Sequence, residues 1–202
     1  PMVSGADKVI SFQQAKDTVY AALAPMGEDY RAIIREGFDH RWIDVYENVG
    51  KRSGAYSAGA LCHPYVLLNH KDNLDSMFTL AHEMGHAAHS YLSNRTQEPV
   101  YRDYVIFVAE VASTCNEALL MEYLLKRTTD KKERAALINH FLEQFKGTLY
   151  RQTMFAEFEL RMGELCAQGE PLTADLLSAE YKALNEKDYG PDMITDPHNA
   201  LE

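Results

Sequence analysis

His82-Glu83-Met84-Gly85-His86 sets two imidazoles four residues apart, with a carboxylate beside the first. On an α-helix, positions i and i+4 lie one above the other on the same face, so both rings can reach one ion. Neutral histidine nitrogen binds zinc at about 2.0–2.1 Å, which suits that separation. Glu83 is offset around the helix, placed to reach a water at the metal without entering the coordination shell. The surrounding Met77, Leu80, Ala81, Met84, Ala87, Ala88 and Leu92 describe a well-packed helix. Two histidines and a glutamate are poor residues for such a helix unless something binds them.

Hydrolytic chemistry at such a site needs a third protein ligand and an open fourth position. A metzincin spacing requires Gly three residues after the second histidine and His six after it, but these positions hold His89 and Leu92. A thermolysin-like spacing places Glu about 20 residues on, where this chain has Ile106. Glu110, 24 residues after His86, lies within Phe107-Val108-Ala109-Glu110-Val111-Ala112-Ser113. A carboxylate in so apolar a helical run is expected to be buried and to need a partner, which a metal ion supplies. Glu117, seven residues further, returns to nearly the same face and is expected either to support a ligand or to be the third ligand itself. His89 lies nearly a turn beyond His86 and reads as a packed or supporting histidine. Cys62-His63 lacks a third orienting group and is not read as a thiol–imidazole dyad. Glu83-Met84-Gly85-His86 is also half of a di-iron carboxylate pattern, but no second Glu-x-x-His occurs. A structural zinc module, with four protein ligands and a closed site, is the remaining rival.

These residues require helices to hold them, and most of the chain reads as helix. Ser11 can cap a segment over 12–24, interrupted by Pro25 and Gly27, and a second apolar-periodic stretch covers about 30–45. Between 50 and 69, Gly50, Gly54, Gly59 and Pro64 punctuate short runs at 55–57 and 65–68 that read as strands. Further helices are expected over about 74–92, 104–126 and 131–167. Thr173 caps a last one to about 189, ended by Gly190-Pro191. The expected fold class is mainly α, with a small β-sheet before the metal-binding helix, in a single domain over 1–202.

The formal net charge of −10 argues against nucleic acid or an anionic membrane as partner, since phosphate binding needs basic surface. Lys126, Arg127, Lys131, Lys132 and Arg134 surround Thr128-Thr129-Asp130 and read as a solvated turn between helices. Three widely spaced cysteines form no disulfide framework and favour a reducing compartment. The segment 1–7 has neither a basic nor an apolar region of a leader, and no run of 18 apolar residues occurs, so a cytoplasmic location is expected.

Taken together, the residues resemble the oligoendopeptidase F type of zinc peptidase, related to thimet oligopeptidase. The resemblance runs through Arg41-Trp42-Ile43-Asp44-Val45-Tyr46-Glu47-Asn48, Lys51-Arg52-Ser53-Gly54-Ala55-Tyr56-Ser57 and residues 63–69. It continues through 78–86, Phe107-Val108-Ala109-Glu110-Val111-Ala112-Ser113-Thr114 and 151–159. It implies a zincin-like helical metallopeptidase core with a deep channel, cutting short unfolded peptides in the cytoplasm. His82, His86 and Glu110 match the family's zinc ligands and Glu83 its general base. The stretch 54–59 resembles the family's edge strand, which binds substrate through main-chain hydrogen bonds. Ala60-Leu61-Cys62-His63 is shorter and less aromatic than the usual loop there. Family members are much longer, so the chain reads as a catalytic-core fragment, with the oxyanion-stabilising residues expected beyond Glu202. Such a fragment is expected to fold and bind zinc but to hydrolyse peptides more slowly than a full-length relative.

Overall fold

The computed structural model describes residues 8–190. Pro191, expected to end the last helix together with Gly190, and the segment 1–7 lie outside the described residues. The chain divides after Asn139 into two compact units.

The first unit begins with helix α1, Phe12–Ala22. Ser11 caps it through a reciprocal box: the Gln14 amide donates to the Ser11 hydroxyl at 3.3 Å, and the Ser11 amide donates to Gln14 Oε1 at 2.9 Å. Its buried face is Ala15, Val19 and Ala22. Pro25 starts a single 3₁₀ turn over Ala24–Met26, and Gly27 at φ +85° opens α2, Glu28–Asp39. Periodicity alone extends α2 to Val45, because Ile34, Phe38, Trp42 and Val45 keep helical spacing. The structure instead breaks the helix at Arg41, held at φ +63°, and turns the next residues into strand β1, Ile43–Asp44. The break lets the Trp42 indole bury almost completely, and its carbonyl accepts from Val66 at 2.8 Å to begin the sheet.

Strands β2, Tyr56–Ala58, and β3, Tyr65–Leu67, complete that sheet in the order β1-β3-β2. β1 runs parallel to β3, pairing Ile43 with Val66. β2 runs antiparallel to it, pairing Ser57 with Val66. β2 is therefore an edge strand, as expected for the stretch 54–59. Lys51 reaches back to the carbonyls of Asp44 (3.2 Å) and Tyr46 (2.6 Å), fastening the long connection between β1 and β2.

Helix α3, Leu74–Thr96, is the centre of this unit and runs a turn beyond its expected end. Asn73 caps it by accepting from the Ser76 amide at 2.9 Å. Met77, Phe78, Leu80, Ala81, Met84, Ala87 and Ala88 are all buried, so the helix is covered on most of its circumference. Gly37 of α2 lies against it; a Cβ there would stand 2.7 Å from Met84 Cε. Helix α4, Ile106–Arg127, packs along α3 at a closer approach. A Cβ on Gly85 would meet the Ala112 carbonyl oxygen and Ser113 Cα at 2.7 Å each. Asn116, fully buried on α4, donates to the Ala81 carbonyl at 3.0 Å and accepts from the Tyr30 hydroxyl at 2.9 Å. Burial, set against that hydrogen bond, pushes the Tyr30 phenol up to about 12. The basic cluster is a helix junction: Arg134 donates to the Leu125 and Thr128 carbonyls at the end of α4, and Arg127 stacks on Tyr123. Helix α5, Lys131–Phe145, starts here, and its Leu137 joins the core.

In the second unit, a π-helical turn, Lys146–Tyr150, precedes α6, Arg151–Ala167. The sequence expects one regular helix over 131–167; the widened turn is invisible to a periodicity argument because its residues are ordinary helix formers. Gly169 at φ +81° ends α6, and Thr173 caps α7, Ala174–Tyr189. The two helices are joined by a two-pronged Arg161–Glu180 pair, both contacts at 3.2 Å, and by Phe158 edge-on to Tyr181.

The contact at Gly85 yields a direct test. Gly85→Ala must separate two backbones, not two flexible side chains, and is expected to cost roughly 1–3 kcal/mol. That is on the order of 2–10 °C in Tm for a chain of this size, read by calorimetry. An unchanged Tm would refute the close-contact argument.

Candidate metal centre

α3 carries His82, Glu83 and His86, and the four-residue spacing brings the two rings to 4.7 Å between centroids. α4 turns Glu110, Ser113 and Glu117 toward α3, at helical spacings of three and seven residues. His82 Nε2 lies 3.1 Å from His86 Nε2, and each lies 3.3 Å from Glu110 Oε2. One ligand atom from each of these residues falls within 4.8 Å of the others, the only such group among the described residues. Four donors held tetrahedrally at 2.0–2.1 Å stand about 3.3–3.4 Å apart, so this near-equilateral triangle fits one face of a zinc-type coordination shell. The residues present therefore fit a metal ion.

Neighbours aim each donor. Glu117 Oε1 accepts from His82 Nδ1 at 2.5 Å, which fixes the proton there and leaves the Nε2 lone pair facing the triangle. Glu117 thus lies behind the His82 ring and not at the triangle itself. The Ala109 backbone carbonyl accepts from the His86 ring. The Ser113 hydroxyl, fully buried, donates to Glu110 Oε2 at 2.7 Å. Ser113 and Asn116 escape a sequence reading that searches for ligands. The available signal was a polar stripe along α4, Glu110-Ser113-Asn116-Glu117, which recurs at helical spacing within an apolar helix.

One premise of the sequence reading is corrected. The Glu110 side chain is 59% exposed, and Phe107 beside it is 87% exposed. The apolar run that brackets Glu110 is a surface at this end of α4, so burial does not explain why a carboxylate there needs a partner. Its position opposite His82 and His86 does.

Burial, reinforced by the Glu110 and Glu117 carboxylates and opposed by His82, raises Glu83 to about 7. Its residue is 6% exposed, and Oε2 is shut from solvent without a hydrogen-bond partner. Burial works against protonation of His82, but Glu117, with Glu83 and Glu110, outweighs it and the net shift is upward. At His86 burial dominates and the shift is downward. Three carboxylates around two imidazoles make a pocket that favours a cation.

The other candidates lie elsewhere. His89 stacks on Tyr104, centroids 3.7 Å apart, outside the donor group, in keeping with a packed histidine. The His63 ring stacks on Trp42 and tilts against Tyr65, and the Cys62 thiol faces the Tyr65 hydroxyl at 3.6 Å, so the two form no dyad.

Two packed helices that present two imidazoles and a carboxylate around room for one ion form a candidate metal site. The profile of Peptidase family M3 matches residues 9–201, and the chain belongs to that family, which is metal-dependent. The chain is 50% identical to Oligopeptidase PepF of Bacillus subtilis over 203 residues, covering all of this chain and 30% of that protein. It is 47% identical to the chromosomal Oligoendopeptidase F of Lactococcus lactis subsp. cremoris over 201 residues, 99% of this chain and 33% of that one. The crystal structure of oligoendopeptidase-F from Enterococcus faecium matches all of this chain and 28% of its own, with a TM-score of 0.58 at 36% identity. The chain thus spans about a third of the length of the relatives it matches.

The geometry ranks the expected losses. His82→Ala or Glu110→Ala should abolish stoichiometric metal, measured by elemental analysis after dialysis. Glu117→Ala should leave an ion bound but roughly 10–100-fold more weakly, as is usual for a group that orients a ligand. The reverse order for Glu110 and Glu117 would overturn the ligand assignment.

Proposed function

We propose that residues 1–202 form one catalytic-core domain of a zinc-dependent metalloendopeptidase that hydrolyses peptide bonds in short, unfolded oligopeptides. His82, His86 and Glu110 are its metal ligands and Glu83 its general base. The observation that carries this reading is a triangle of three donor atoms with tetrahedral spacing, beside a buried carboxylate that has an unpartnered oxygen. Two imidazoles and a carboxylate suit zinc, and three protein donors leave the open position that catalysis needs. When bound, the ion supplies Lewis acidity, polarising the scissile carbonyl and acidifying the attacking water.

The chain's own residues do the rest. Glu83 accepts the proton from the water and passes it to the departing amide nitrogen as the carbon–nitrogen bond breaks. Its burial beside the triangle, with one oxygen free of any hydrogen-bond partner, suits it to both halves of that transfer. Water is thereby divided, its oxygen to the carbonyl carbon and a proton to the amine. Glu117 and Ser113 keep the His82 ring and the Glu110 carboxylate aimed. The outer edge of β2 offers main-chain groups to an extended peptide, a mode of binding that selects backbone over side chain. The names of the relatives support short peptides as substrates. A cytoplasmic location is supported by three cysteines that are all free. Among the described residues, no helix is long and apolar enough to cross a membrane. The net charge of −10 does not suit nucleic acid as partner.

The test replaces the base without touching the ligands. Glu83→Gln should lower turnover of an internally quenched oligopeptide by about 10²–10⁴-fold while a full equivalent of zinc stays bound. Hydrolysis at the wild-type rate by the zinc-loaded variant would sink the mechanism.

A further inference from the structure

One turn of α3 beyond His86, a cleft of about 330 Å³ opens between the end of β2, α3 and the loop that leads into α4. Ser57, Gly59, Ser90, Asn94, Arg102 and Tyr104 form its walls. Most of these are fixed by their neighbours. Asn94 donates to the Ala60 carbonyl at 3.0 Å, and the Ser90 and Tyr104 hydroxyls share a hydrogen bond of 2.9 Å. The Tyr104 ring lies flat on His89, and Gly59 rests on Ser90, where a Cβ would come within 3.1 Å. The Arg102 carbonyl accepts from the Ser93 hydroxyl at 2.5 Å, which anchors the loop to α3.

The Arg102 guanidinium is the exception. Among the described residues no carboxylate pairs with it, and its Nη1 is closed off without a hydrogen-bond partner. Asp103 also lines the cleft, but it is exposed and forms no ion pair with Arg102. The Ser57 hydroxyl is likewise buried and unpartnered. A half-buried guanidinium with no counter-charge is unfavourable by itself, and Arg102 gives the cleft wall the planar fork that a carboxylate completes.

We propose that this cleft is a carboxylate subsite of the peptide-binding surface, in which Arg102 recognises an anionic group of the substrate. The group is either the C-terminal carboxylate or an acidic side chain. This rests on the peptidase reading and adds a rule of substrate choice to it. Ser90 and Asn94 lie four and eight residues past His86, about 6–12 Å along the helix axis. An extended peptide covers that distance in roughly two to four residues. Arg102 thereby favours substrates that carry a carboxylate at that remove from the bond cleaved.

The test measures binding of end-labelled hexapeptides by fluorescence anisotropy, with zinc-loaded Glu83→Gln protein used to prevent turnover. One pair of peptides differs only in a free or amidated C-terminus. A second, amidated pair differs only in Glu or Gln, placed at successive positions. At least one pair should show the anionic peptide binding roughly tenfold tighter, the usual worth of a charge-assisted hydrogen bond in a partly open site. Which pair does so identifies the source of the carboxylate. Arg102→Ala should bring that ratio close to one without weakening the neutral peptides, and Arg102→Lys should restore part of it. No preference in either pair, or equal weakening of anionic and neutral peptides by Arg102→Ala, would overturn the proposal. Because the readout is binding, a failure of wild-type turnover would count against the peptidase reading and leave the carboxylate preference separately measurable.

Discussion

The close approach of α3 and α4 at Gly85 is the constraint on which the metal centre depends. Three donors on two helices can converge only if the helix axes are near enough for a short glutamate to reach two imidazoles. Any side chain at position 85 would occupy the space that the Ala112–Ser113 backbone now fills. The missing Cβ is therefore as much a part of the site as the ligands around it. Its cost, the backbone freedom that glycine adds to the unfolded chain, is offset by an interface packed backbone to backbone.

Polar groups then set the register of that interface, which apolar packing alone would leave loosely specified. Asn116 donates to the Ala81 carbonyl with one end and accepts from the Tyr30 hydroxyl with the other, so a slip of α4 along α3 would strand a fully buried amide and the hydroxyl that depends on it. One residue on, Glu117 holds the His82 ring, and one turn back, Ser113 holds the Glu110 carboxylate. Register and ligand geometry are thus governed by the same stripe of α4. A displacement that spoils one spoils the other, because buried donors and acceptors tolerate little loss of geometry.

The same helix is apolar and exposed at its start, where Ile106, Phe107 and Val111 face outward around Glu110. Along its first turns, before Leu120 and Met121 return to the core, polar ties govern its inner face and apolar groups its open face. This inverts the usual plan of a surface helix, and it misleads any reading that equates apolar sequence with burial.

What the sequence determines by itself is whatever depends on local spacing and local chemistry. Helical periodicity dictates that His82 and His86 share a face with Glu83 beside them. The caps at Ser11 and Thr173 are legible because each satisfies backbone donors within three residues. Spacing narrowed the third ligand only to Glu110 or Glu117, and the burial invoked for Glu110 is absent. The turn at Arg41, the widened turn at Lys146–Tyr150 and the roles of Ser113, Asn116 and Arg102 were decided only by the tertiary structure. A non-glycine residue adopts a left-handed conformation only when the fold compensates it, as the burial of Trp42 does here. The partner of a buried polar group lies 35 residues away for both Asn116 and Glu117. Contacts at that range depend on how two helices meet, and their meeting depends on the whole packed interface, which no local pattern encodes.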